Sequence, residues 1–290
     1  MSAETRSDES VVDRMDGVST VGLAGFVGFL AVSALGVTMG LWKLLVIGWV
    51  AFVAMAGAAV MGSRAARTRD AFGLVWGYGL AAGAMVTSAA VFLLPQAFGL
   101  APKIGGFGVA AGLLTGYASH TASHRLAHVD RFNSAAAELA AHSLAAGLII
   151  GVIYAALPDP GLLLGLAIVS HKGPAGYAAA RRLRHAGRGV SVLLLPAAGV
   201  ALAAIPVAVV QPPLTTTVSA AVFGFAAGVF LHVAMDFLPE CELGGEVGRV
   251  ARLDEMDGEA HHLLDRLRLH AVASTALGAL VVLGAWLVIA

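Results

Sequence analysis

Long apolar runs, each close to twenty residues and cut off from the next by a short polar or charged block, fill almost the whole chain of 290 residues. Twenty apolar residues in a helix span a bilayer's hydrocarbon core, and backbone polar groups there must be satisfied within the helix itself. The pattern therefore predicts an all-α polytopic membrane protein. Nine spans are expected, near 17–38, 41–62, 72–97, 104–124, 134–156, 161–181, 190–210, 215–239 and 264–289. Only GLWK separates the first two, so one bent helix with a re-entrant piece is an alternative there. The PDP at 158–160 and the QPP at 211–213 read as helix-ending turns.

Composition excludes the soluble alternatives. The chain is 58% hydrophobic and 12% charged, too little polar surface for a soluble protein of this length. A formal net charge of zero gives no bulk attraction to nucleic acid, so the expected partner is the lipid bilayer. The single Cys241 excludes an internal disulfide framework. Residues 1–16 are acidic rather than basic, so a cleaved leader is not expected and this segment reads as a cytoplasmic tail. No HExxH motif, phosphate-cradling glycine loop or Ser/His/Asp arrangement is present, and an enzyme is not expected.

Arginine placement sets the expected orientation, because positive charge in short loops stays cytoplasmic. Alternate loops carry Arg64, Arg67 and Arg69, then Arg125 and Arg131, then Arg181, Arg182, Arg184 and Arg188, then Arg249, Arg252, Arg266 and Arg268; the opposite side carries Lys43 and Lys103. That split predicts a plasma-membrane protein with its N-terminus cytoplasmic and its C-terminus outside. Merging the first two spans would give eight and move the N-terminus across.

Ionisable residues inside spans are costly and are therefore the functional candidates. Glu138 and His142 stand at i and i+4, on one helical face. His171 and Lys172 lie mid-span, with Pro174 expected to break a backbone hydrogen bond and bend that helix. Neutral imidazole suits zinc and its first-row neighbours, so these histidines either line a metal pathway or hydrogen-bond one another as structural contacts. His232, Asp236 and Glu240 follow at i, i+4 and i+8, a stripe toward the cytoplasmic end that reads as an exit path or as a hydrated interface. His120, His124 and His128 repeat every four residues at the end of the fourth span, as a metal-collecting mouth or a simple wet face.

Four segments together resemble the ZIP (ZRT/IRT-like) family of divalent metal transporters. GLAAGAMVTSAAVFLLPQAFG (79–99) is similar to its second core helix, HSLAAG (142–147) to the fourth, HKGPAG (171–176) to the fifth and GVFLHVAMDFLPE (228–240) to the seventh. The resemblance implies a ZIP-like eight-helix domain over 41–290, preceded by an additional helix at 17–40. It implies alternating access, a homodimer as one possible assembly, and a transported divalent cation, zinc foremost with iron, manganese, cobalt and cadmium as alternatives. The implied metal set is His142, His171, Glu138 and Ser143. Ala146, Ala175 and Gln96 stand where the family carries acids, and Lys172 stands at a ligand of the neighbouring metal. Lys172 is accordingly read as occupying the place and charge of a second cation, held by Glu138 if that side chain reaches it. A degenerate relative that binds metal or a partner without transport is the alternative.

Overall fold

The computed structural model describes residues 18–66, 70–126, 134–156, 165, 169–211, 215–241, 246–251 and 260–289. Its elements are helical: α1 (Thr20–Thr38), α2 (Trp42–Ala65), α3 (Ala71–Ser88), α4 (Leu94–Leu100), α5 (Pro102–Leu126), α6 (Ser134–Ala156), α7 (Lys172–His185), α8 (Leu194–Val210), α9 (Thr216–Asp236), α10 (Glu246–Ala251) and α11 (Ala260–Ile289). Among the described residues there is no strand. Seven stretches of the described residues are long and apolar enough to cross a membrane: Thr20–Thr38, Trp42–Ala65, Ala71–Leu100, Ala136–Ala155, Val190–Val210, Thr216–Asp236 and His261–Val288. The chain is thus an all-α, multi-pass membrane protein by architecture. Large apolar side chains such as Phe107, Leu114, Leu269 and Val288 face outward, as a lipid-facing surface requires.

Local chemistry explains where the helices start and stop. Ser19 caps α1 by accepting from Gly22 N–H at 3.3 Å, and Asp70 caps α3 by accepting from Gly73 N–H at 2.9 Å. Gly40 turns the chain between α1 and α2 at φ +69°, a conformation glycine adopts without strain. The first two apolar runs are therefore two helices, not one bent helix. Their aromatic rings stack, Phe29 on Phe52 with centroids 4.6 Å apart. A π-turn over Ala89–Leu93 links α3 to α4. Pro95 accounts for it: lacking an N–H, it cannot continue the regular ladder back to Val91.

Three expectations need correction. The run at 161–181 is not one helix bent at Pro174: a turn occupies Val169–His171, and α7 starts at Lys172. Pro174 then sits in the first turn, where a missing N–H costs nothing. Second, α9 ends at Asp236, with Phe237 as its cap, so Glu240 is not on a stripe with His232 and Asp236. Pro239 disfavours helical backbone just ahead of it and supplies no N–H. Third, Arg181 is no loop residue: it lies within α7 and is fully buried. Of the nine expected spans, the fourth corresponds to α5, 25 residues long, and the first half of the sixth falls largely outside the described residues.

The helices group by packing into two bundles. In one, α8 lies against α6, α1 and α2, and α2 lies against α7; in the other, α9 lies against α5 and α4, and α3 against α11. Close approach of small residues builds both. A Cβ on Gly228 would stand 2.9 Å from Gly112 Cα across α5 and α9, and one on Gly199 of α8 would stand 2.7 Å from Ser143 Cβ on α6. In lipid, such backbone-to-backbone packing replaces the missing hydrophobic drive. The boundary between the bundles runs past α3, α5, α6, α7 and α9, and the polar residues gather along it.

Candidate functional site

Helix α6, the turn before α7 and the first residue of α7 bring four polar side chains into a buried core. His142, Ser143, His171 and Lys172 are all buried to 1% exposure or less. The two imidazoles meet directly, Nε2 to Nε2 at 3.0 Å, so one ring donates and the other accepts. Lys172 Nζ donates to Ser143 Oγ at 2.7 Å. Among the described residues the hydrogen bond that Lys172 makes goes to Ser143, not to Glu138 as expected. The break at Val169–His171 is what permits this cluster, since it places two consecutive residues, His171 and Lys172, opposite two consecutive residues of α6. Phe230 of α9 covers the imidazoles, its ring centroid 4.8 Å from that of His142 and 5.5 Å from that of His171. His142 Nδ1 is buried and has no hydrogen-bond partner.

A cavity of about 220 Å³ runs along His142 and reaches Ala145 and Phe225. Its polar lining is Glu138 and His142 of α6, Arg182 of α7, His232 and Asp236 of α9 and Thr115 of α5, with Tyr78, Phe225 and Phe237 among the apolar walls. His232 Nε2 and Asp236 Oδ2 stand 3.4 Å apart. Gly116 makes room for the His232 ring, because a Cβ there would collide with it. Arg182 and Asp236 are exposed, so the cavity opens at the end of the molecule that carries the α7 arginines.

The spacing of Glu138 and His142 put them on one face, and they do line one cavity. His232 and Asp236 join them there. Glu240 does not: it is exposed, beyond the end of α9. The four expected metal ligands are not gathered at one point. His142 and His171 are paired with each other, Ser143 with Lys172, and Glu138 lies along the cavity wall. Among the described residues no group of three or more His, Cys, Asp or Glu is arranged to hold a metal ion. His128 lies outside the described residues, as do the side chains of His120 and His124.

Three residues near the site are not among the sequence's site candidates. Phe230 is one apolar residue within an apolar run. Arg182 stands in an arginine block that reads as a loop. Arg181 is buried with Nη1 3.8 Å from Asp70 Oδ2 and 3.3 Å from Tyr177 Oη, a contact that ties the end of α7 to the start of α3. Outside the membrane-spanning helices, burial pushes the Cys241 thiol upward, and the nearby Arg268 partly offsets it.

A comparison with protein-family models finds no match, and a comparison with curated proteins finds none either.

Proposed function

We propose that this protein is a membrane carrier for a divalent transition-metal cation, zinc foremost, working by alternating access between its two bundles. The observation that carries the reading is the single cavity that joins two carboxylates and two imidazoles, Glu138, Asp236, His142 and His232, from an open end to the buried core. Carboxylates offset the loss of hydration of a divalent cation, and imidazole then selects for first-row metals over magnesium or calcium. His142 stands where the cavity meets the core, and its unpartnered Nδ1 is a vacant ligand atom. The arrangement supports a state in which the cavity is open toward the arginine-rich, cytoplasmic end and His171 is shut off from it.

In this mechanism a partly hydrated ion is exchanged among Glu138, His232 and Asp236 and reaches His142. Onward movement requires the His142–His171 bond to open. For a metal held by both rings with bonds of about 2.1 Å and tetrahedral angles, the two Nε2 atoms stand roughly 3.4 Å apart, with both nitrogens free of protons. That is a short step from the 3.0 Å hydrogen bond. The packing of α1 on α8 and α2 suits an additional helix fixed to the outside of an eight-helix carrier domain of the ZIP kind.

A second reading has its own support. The His142–His171 bond and the Lys172–Ser143 bond already engage most of the expected ligands, which suits a relative that binds metal or a partner without moving it. Flux into proteoliposomes separates the two, with zinc, cadmium, manganese, iron(II) and cobalt compared. The carrier reading expects flux of at least one ion, abolished by His142→Ala and lowered by Glu138→Gln. Folded protein that moves none of them refutes it.

A further inference from the structure

Phe230 is fully buried, and its single ring covers both histidines of the core: it stands tilted by 53° to His142 and edge-on, at 84°, to His171. The contact crosses the boundary between the bundles, because Phe230 comes from α9 while the histidines come from α6 and the turn before α7. The adjacent Val229 and, one turn on, Val233 line the cavity, but Phe230 and His171 do not. The cavity runs past His142 to Ala145 on α6 and to Phe225 on α9, and the phenyl ring and the second imidazole stand to one side of it, behind His142. An apolar ring offers nothing to replace the water of a divalent ion, so it is a barrier to that ion wherever it stands in the path.

We infer that Phe230 is the lateral seal of this pathway, a positioning residue that holds the histidine pair closed and keeps His171 and Lys172 shut off from the cavity. The inference rests on the carrier reading. It adds that α9 links filling to opening: the same helix supplies His232 and Asp236 to the cavity and Phe230 to the seal. Helix α9 is packed backbone-to-backbone on α5 through Gly224 and Gly228, so the two move as one body. A shift of that body against α6 and α7 withdraws the ring and frees the imidazoles to part.

The test is a cysteine reporter. Ala146 is fully buried one turn along α6 from His142 and, unlike its neighbour Ala145, does not line the cavity. In a Cys241→Ser background, Ala146→Cys is exposed to a membrane-impermeant thiol reagent from each side of sealed proteoliposomes, without metal. With Phe230 in place the reporter stays unlabelled; with Phe230→Ala it is labelled at least tenfold faster from the cavity side. Phe230→Trp keeps the seal, and Phe230→Leu, the choice if the alanine variant does not fold, gives an intermediate rate. A reporter labelled readily with Phe230 present, or equally slow labelling after its removal, overturns the inference. Because labelling needs no transport, a protein that moves no metal can still pass or fail this test.

Discussion

Replacing Lys172 by methionine tests how the core treats charge. Lys172 is fully buried, and its hydrogen bond goes to a neutral hydroxyl, Ser143 Oγ at 2.7 Å. Ser143 follows His142 directly, so an ion bound at the histidines stands within a residue's breadth of the lysine. At a separation of about 6 Å and an effective dielectric constant near 20, a unit charge and a doubly charged ion repel by about 5 kcal/mol. A quarter of that, about 1.4 kcal/mol, is tenfold in affinity. Methionine keeps the length and volume of the side chain, so little repacking is expected. Lys172→Met should therefore tighten zinc binding at least tenfold, measured by isothermal titration on protein in detergent, and slow zinc release in the flux assay. Ser143→Ala, which removes the lysine's partner and leaves its charge, should not reproduce the gain. Unchanged affinity in Lys172→Met would refute the reasoning, because the lysine would then carry no charge felt at the histidines.

Two further outcomes test the frame around the site. Gly228→Leu should destabilise the protein by about 2 kcal/mol or more, since a Cβ at this position already meets Gly112 Cα at 2.9 Å and overpacking has nowhere to go. Gly57→Leu, where a Cβ meets nothing within 4 Å, should be neutral, and thermal unfolding in detergent compares the two. Cys241 is buried and its thiol is pushed up, so the reactive thiolate is scarce at neutral pH; maleimide should label it slowly in folded protein, faster as pH rises, and completely only on denaturation.

Much of the fold is legible without coordinates, because the signal is local. An apolar run of membrane length specifies a helix whatever lies beside it, and the described boundaries of α2, α5 and α6 fall within a few residues of the expected ones. Errors cluster at prolines and arginines. The apolar run continues through Pro174, which therefore reads as an interior kink, but the turn at Val169–His171 comes first and makes it a first-turn proline. Pro239 ends α9 and strands Glu240 outside. Arg181 counted toward a cytoplasmic loop although its guanidinium is buried beside Asp70 and Tyr177.

The chain's order alone determined the membrane class, the positions of most spans and the shared face of Glu138 and His142, since each follows from spacing along one helix. Only the tertiary structure decided what those residues touch. That His142 bonds His171, that Lys172 takes Ser143 rather than Glu138, and that Phe230 closes over both rings depend on how far α6, α7 and α9 are rotated and how closely they approach. Those rotations are set by contacts such as Gly199 on Ser143 and Gly228 on Gly112, between residues far apart in the chain. Hydropathy along a helix carries no record of them, because an apolar helix in lipid looks the same from every side until its neighbours are in place.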